Sequence, residues 1–273
     1  MKDFYSESLK ESAVDTNKAY IFGDTADAAR GFHLAEMIQQ HQIDVYSLNQ
    51  NITVNGVPFE KEKAYIVPLD QPQYKLIKAI FETRNNFQDS LFYDVSAWTL
   101  PMSFNLDYTA LSSKIMNLAD VTLLEEGFGK KAGSLIGEKN AYAYAFEWAD
   151  YYAPKAAYKL MDEGYLVRLT HEPITLADGK VLKRGSILVS TQRDAEEDAA
   201  TKLHSSLTSL TAETGITVYG ISTGYTAGVN IGSPSIDVLK KPEIAVLVGT
   251  GVASGEAGEM WHLLDQRFDM PIT

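Results

Sequence analysis

The chain has 273 residues, 45% hydrophobic and 22% charged, with a net charge of −12 and no cysteine. This length suits one large or two modest domains and buries a sizeable core, while the missing cysteine excludes disulfides, thiolate zinc sites and a cysteine nucleophile. An acidic surface repels phosphate backbones and anionic bilayers, and no apolar run reaches spanning length, so neither nucleic acid nor membrane insertion is expected.

Residues 1–16 carry no signal-peptide pattern and read as an amphipathic helix, a linker from a preceding domain. Residues 18–23 are a short apolar run suited to a buried strand, and Asp24-Thr25 supply a helix N-cap. Ala28, Phe32, Ala35 and Ile38 then recur at helical spacing to about residue 41. A strand follows at 43–48, a hairpin turns at Asn55-Gly56 between Ile52-Thr53-Val54 and Ala64-Tyr65-Ile66-Val67, and a helix runs from about Pro72 to Glu82.

The same order returns about 122 residues later. Lys18-Ala19-Tyr20-Ile21-Phe22 matches Asn140-Ala141-Tyr142-Ala143-Tyr144, and Ile43-Asp44-Val45-Tyr46 matches Tyr165-Leu166-Val167-Arg168. Ile52 to Gly56 matches Ile174 to Gly179, and Tyr65-Ile66-Val67-Pro68 matches Ile187-Leu188-Val189-Ser190. The second set reads strand 140–147, helix 153–163, strand 165–170, hairpin 174–190 and helix 194–213, with Gly164 and Gly215 as C-caps. The expected fold class is α/β: two β-α-β-β-α repeats forming mixed, mainly parallel sheets with flanking helices, plus a truncated flavodoxin-like βα unit. The corresponding division is 17–136 for the first repeat with an aromatic insert, 137–240 for the second repeat and a Gly/Ser/Thr-rich linker (216–241), and 241–273 for the third unit. That unit opens with Ile244-Ala245-Val246-Leu247-Val248-Gly249 as a strand and continues as a helix over roughly 256–265. Both chain ends read as cuts from a longer protein.

Several residue groups have chemical potential. His33-x-x-Glu36 has the spacing of a zinc-binding pair, with His171 or His204 to supply a third ligand. The matching helix of the second repeat offers Lys155 and Tyr158 instead, which favours a helix-surface pair over a metal site. Glu259-x-x-His262 with Asp265 flanks Trp261, as a cleft-side polar cluster or as a capped helix whose tryptophan is core. Gly127-x-Gly129-Lys130-Lys131-x-Gly133 offers backbone N–H groups to a phosphate but lacks P-loop spacing. Gly249-Thr250-Gly251 lies where parallel sheets bind ligands, yet it lacks a dinucleotide fingerprint and reads as a tight turn. Tyr93, Trp98 and Trp148 have the chemistry to line a groove for a peptide or glycan, although such aromatics usually serve packing. Gly-x-Ser-x-Gly does not occur.

Three stretches together resemble a known family: Ala64 to Gln73 (AYIVPLDQPQ), Asp89 to Pro101 (DSLFYDVSAWTLP) and Gly258 to Asp265 (GEMWHLLD). They resemble the C-terminal half of large bacterial zinc carboxypeptidase-like proteins, over nearly the whole chain. Members of that family carry the zinc catalytic domain first, then a repeat-bearing region, then a domain similar to class I glutamine amidotransferases. The resemblance implies an accessory, non-catalytic region with no cofactor of its own, zinc being held by the parent's catalytic domain. Its implied partners are that catalytic domain and a peptide substrate, in a parent that suits an exported or periplasmic location. No residue here matches the family's zinc triad, and an amidotransferase needs a cysteine nucleophile, so no catalytic residue carries over. The alternatives are a peptide- or glycan-binding α/β module and a metalloenzyme using His33 and Glu36.

Overall fold

The computed structural model describes residues 2–83, 99–117, 119–191 and 198–273. The chain divides into two units, Met1–Lys130 and Lys131–Thr273. The N-terminal helix falls within the first of these units.

The first unit opens with α1 (Lys2–Val14), β1 (Asn17–Gly23) and α2 (Ala28–Gln40). Asp27 caps α2, in place of the expected Asp24-Thr25: its carboxylate accepts the Ala29 N–H at 2.9 Å and pairs with Arg30 Nε at 2.9 Å, fully buried. Next come β2 (Tyr46–Leu48), β3 (Ile52–Val54), β4 (Val57–Phe59), β5 (Ala64–Pro68) and α3 (Tyr74–Phe81). The unit ends with α4 (Leu100–Ser103), β6 (Asp107–Ser112), α5 (Ser113–Met116) and β7 (Val121–Leu123). Asn55 and Gly56, with φ of 52° and 83°, make the two-residue turn of the β3–β4 hairpin as their sequence requires.

The five-stranded sheet has the order β6-β1-β5-β2-β7. Alternation along the strands sorts the core into two layers. Tyr20, Phe22, Tyr65 and Val67 face the helices, against Leu34, Ile38, Ile77 and Phe81. Ala19, Ile21, Ala64 and Ile66 face the other way, under Val54 and Phe59 of the hairpin. Both faces of this sheet are therefore covered by the unit's own elements.

The second unit contains β8 (Ser134–Ile136), β9 (Ala143–Phe146), α6 (Ala153–Asp162), β10 (Val167–Thr170), β11 (Ile174–Thr175), β12 (Val181–Leu182) and β13 (Ile187–Ser190). After these come α7 (Ala199–Thr214), β14 (Thr217–Ile221), β15 (Ala227–Gly228), β16 (Ile236–Val238), α8 (Ser254–Trp261) and a π-helical turn, His262–Arg267. Its main sheet runs β16-β10-β13-β9-β14-β8. The run β14-β9-β13-β10 has the order of β6-β1-β5-β2 in the first unit. In both, the four strands with their two helices make the split β-α-β-β-α-β arrangement, with a hairpin inserted between the second and third strands.

Three expectations are corrected. The sheets are mixed, but they are mainly antiparallel: among the described residues only β8 with β14, and an isolated bridge at Ile244 and Ile272, run parallel. The strand–helix–strand order does set β1 and β2 in one direction, yet β5 inserts between them and runs antiparallel to both. Second, the stretch 216–241 is not simply a linker: β14 lies beside β9, and β6 within the expected insert lies beside β1. Each is the last strand of its four. Third, the run Ile244–Gly249, expected as a strand, pairs through an isolated bridge at Ile244 instead. Leu247 and Val248 are 83% and 75% exposed, and the pairing is confined to Ile244, Val246, Ile272 and Thr273.

Candidate functional site

Tyr93 and Trp98 lie outside the described residues. Trp148 follows β9 and is half-exposed; Glu259 on α8 and His262 after it are exposed. Among the described residues no hydrogen bond, ion pair or ring contact joins these three. Trp261 is 48% exposed, so the expectation of a core tryptophan at that helix is also corrected.

His33 Nδ1 and Glu36 Oε2 lie 3.4 Å apart on one face of α2, as an i, i+3 pair should. His171 instead pairs with Asp237 at 2.8 Å, and His204 sits over the Tyr144 ring at 6.3 Å. Among the described residues no group of three or more His, Cys, Asp or Glu side chains is placed to hold a metal.

The glycine-rich loop is used in packing. The Gly127 N–H donates to Gln39 Oε1 at 3.3 Å, and Phe128 stands 5.2 Å from the Phe32 ring. Gly133 donates its N–H to Thr211 O at 2.9 Å, and a Cβ there would lie 1.9 Å from the Ile216 carbonyl. These backbone donors face protein acceptors, not an anion. Gly249-Thr250-Gly251 forms a tight turn, closed by Val252 N–H to Gly249 O at 3.1 Å.

A different feature has the shape of a site. In the second unit, the turn after β8, the tip of the β11–β12 hairpin and the end of β14 enclose an open cavity of about 220 Å³. Its space comes from small residues. Gly137 turns the chain away from β14 with φ of 119°, and a Cβ there would lie 3.0 Å from Gly220 Cα. Gly220 in turn packs against Ala141, where an added Cβ would come within 3.2 Å. Leu176 and Ala177 also line the cavity.

The polar groups of the cavity are Glu138 and Asp178, on different segments, with Ser222 and Tyr219. The Tyr144 hydroxyl holds the segment bearing Glu138 by donating to the carbonyls of Glu138 and Lys139, at 3.0 and 2.6 Å. Burial pushes the Tyr144 phenol above its usual pKa, so it remains a neutral donor. Asp178 Oδ1 accepts the Lys180 N–H at 2.9 Å, which sets the hairpin tip. Among the described residues, neither carboxylate is paired with a cationic side chain. Lys180 Nζ instead stands over the Tyr219 ring, 5.6 Å from its centroid.

Sequence reading placed Asp178-Gly179 only as a turn and missed the rest. Its available signals were Gly137 and Gly220, two glycines at strand ends that mark close backbone approach. Compared with protein-family models, curated proteins and solved structures, the chain finds no match.

Proposed function

We propose that this chain is the accessory, non-catalytic region of a larger zinc carboxypeptidase-like exopeptidase. In that parent a zinc-bearing domain would hydrolyse C-terminal peptide bonds, with the metal polarising the carbonyl and a glutamate of that domain activating water. The observation that carries the reading is the shared strand order of the two units, β6-β1-β5-β2 and β14-β9-β13-β10, together with the sequence matches between them. Two β-α-β-β-α-β units in succession, each with its own core, suit a supporting rather than a catalytic role. The three family-like stretches give the parent its identity. Residues 241–273 fit the opening of the amidotransferase-like domain: α8 and its π turn join two segments that meet in parallel at Ile244 and Ile272. The apolar, exposed run Ile244–Val248 also has the character of a parallel-sheet strand.

The test is to read the coding frame on both sides of this segment and to weigh the protein recovered from its own cells. The expected result is an upstream domain with a His-x-x-Glu pair and a third histidine, in a product heavier than 30.2 kDa. A mature product of that mass, with no such domain, overturns the proposal.

A second reading, a binding module for peptides or glycans, is favoured by one observation, the acidic cavity of the second unit.

A further inference from the structure

We propose that this cavity is a subsite for a basic side chain, the guanidinium or ammonium of an arginine or lysine in a peptide. The inference deepens the binding-module reading. It does not depend on the parent being an exopeptidase.

In the first unit, the hairpin tip closes directly on the last strand of the four: Asn55 Nδ2 donates to Thr109 Oγ1 at 3.1 Å. Thr109 stands opposite Ile21, and Tyr219 stands opposite Ala145 at the same place in the second sheet. There the tip carries Asp178 in a longer turn, the strand carries Gly220, and the cavity lies between them. Elements of the same order thus close tightly in one unit and leave room in the other.

The chemistry of that room selects a cation. Glu138 and Asp178 reach it from separate segments, and neither has a cationic partner among the described residues. The protein's net charge of −12 adds an attractive field. Tyr219 also lines the cavity, and its ring carries the ammonium of Lys180, 5.6 Å from the centroid, so an incoming cation must displace Lys180 from that face or bind at the carboxylates alone. Leu176 and Ala177 offer apolar contact to the methylene stem. The volume of about 220 Å³ is roughly that of seven liquid water molecules, enough for one extended basic side chain and too small for a folded ligand. Lysine and arginine differ here in one respect: a guanidinium presents its donors as a planar fork, whereas an ammonium is a point charge.

The experiment is a backbone amide NMR titration of the whole chain with Nα-acetyl-arginine amide, and in parallel with its neutral isostere Nα-acetyl-citrulline amide. The expected result is saturable shifts centred on Gly137, Ala177 and Gly220 with the arginine probe, and at least tenfold weaker binding of the citrulline probe. Glu138→Gln and Asp178→Asn should each weaken arginine binding roughly threefold to tenfold. Ala177→Phe, at an exposed wall position, should abolish it, whereas Asn55→Ala in the first unit should leave it unchanged. Equal binding of both probes, shifts spread evenly over the acidic surface, or full binding by Ala177→Phe would each overturn the proposal. None of these outcomes touches the accessory-region reading, which rests on the coding frame.

Discussion

The Tyr74 hydroxyl donates to Asp15 Oδ2 at 2.9 Å, and Lys78, one helical turn further along α3, reaches the same oxygen at 3.3 Å. This contact fastens the end of α1 to α3. Burial pushes the Asp15 carboxyl up, but the Asn17 N–H, the Tyr74 hydroxyl and the Lys78 ammonium outweigh it and leave the pKa below 3.8. A depressed folded pKa stabilises the protein above the unfolded value, and that stabilisation is lost as pH falls through the folded value. Asp15→Asn should therefore cost roughly 1–2 kcal/mol at pH 7 and flatten the loss of stability below about pH 4. Urea midpoints across pH 2–7 measure both. An acid limb identical to that of the parent would show that Asp15 contributes nothing to it.

Gly133 is a glycine for steric rather than conformational reasons. Its missing side chain leaves room for the backbone of Gly215 and Ile216, and the nearest atom to an added Cβ would be a carbonyl oxygen that cannot swing aside. Gly133→Ala should cost about 3 kcal/mol or more. Gly179→Ala meets no atom within 4 Å, but it must hold φ at 86°, so about 1 kcal/mol is expected. Chemical denaturation of both variants tests the ranking; a cheaper Gly133→Ala would contradict the packing described at that position.

Two apolar residues that look alike in sequence should respond very differently. Ile21 is fully buried in β1, whereas Leu247 is 83% exposed. Ile21→Ala should cost about 2–5 kcal/mol, and Leu247→Ala should stay within about 0.5 kcal/mol. A large loss at Leu247 in the 1–273 chain would mean that the run 244–248 is covered in solution.

Much of the secondary structure was legible because apolar periodicity and turn residues agree locally. Asn55-Gly56 made its turn where expected, and Tyr46 and Arg168 lie opposite Ile66 and Leu188, matching partners in the sequence comparison. The first strand shows where local information ends. Spacing matches Tyr20 with Tyr142, but Tyr20 pairs with Val67 while Tyr144 pairs with Val189. A slip of two residues along Ala141-Tyr142-Ala143-Tyr144 keeps each side chain on its face, so the strand alone does not resolve it. The fourth strands were missed for a compositional reason. Asp107–Ser112 is half-polar, and Thr217–Ile221 contains Gly220 and sits among Gly, Ser and Thr residues. Without them the pattern β-α-β-β-α reads as parallel crossovers, and the antiparallel insertion of β5 does not appear. The cavity was illegible because it depends on a contact between Gly137 and Gly220, far apart in the chain.

Lys155 offers a test of how the C-terminal segment is held within the second unit. Its ammonium contacts Glu213 Oε1 at 2.7 Å on α7 and Asp269 Oδ2 at 2.6 Å, while Lys159 takes the other Glu213 oxygen at 2.7 Å. Beside this cluster the buried Phe268 packs on the rings of Tyr151 and Tyr152 at 5.4 and 6.4 Å. Burial pushes Glu213 up, but the bonds to Lys155 and Lys159 outweigh it and hold the carboxyl below 4.5. Its contribution is therefore present above about pH 4.5 and fades as pH falls through the folded value. Lys155→Met keeps the aliphatic stem and removes one of the two cations. The Glu213 carboxyl should then titrate closer to its ordinary value, as followed by side-chain NMR. The segment around Asp269 should also become several-fold more sensitive to proteolysis, since one of the contacts that retain it is removed. An unchanged Glu213 titration would assign its depression to Lys159, and unchanged proteolysis would place the anchoring of this segment in Phe268 rather than in the ion pair.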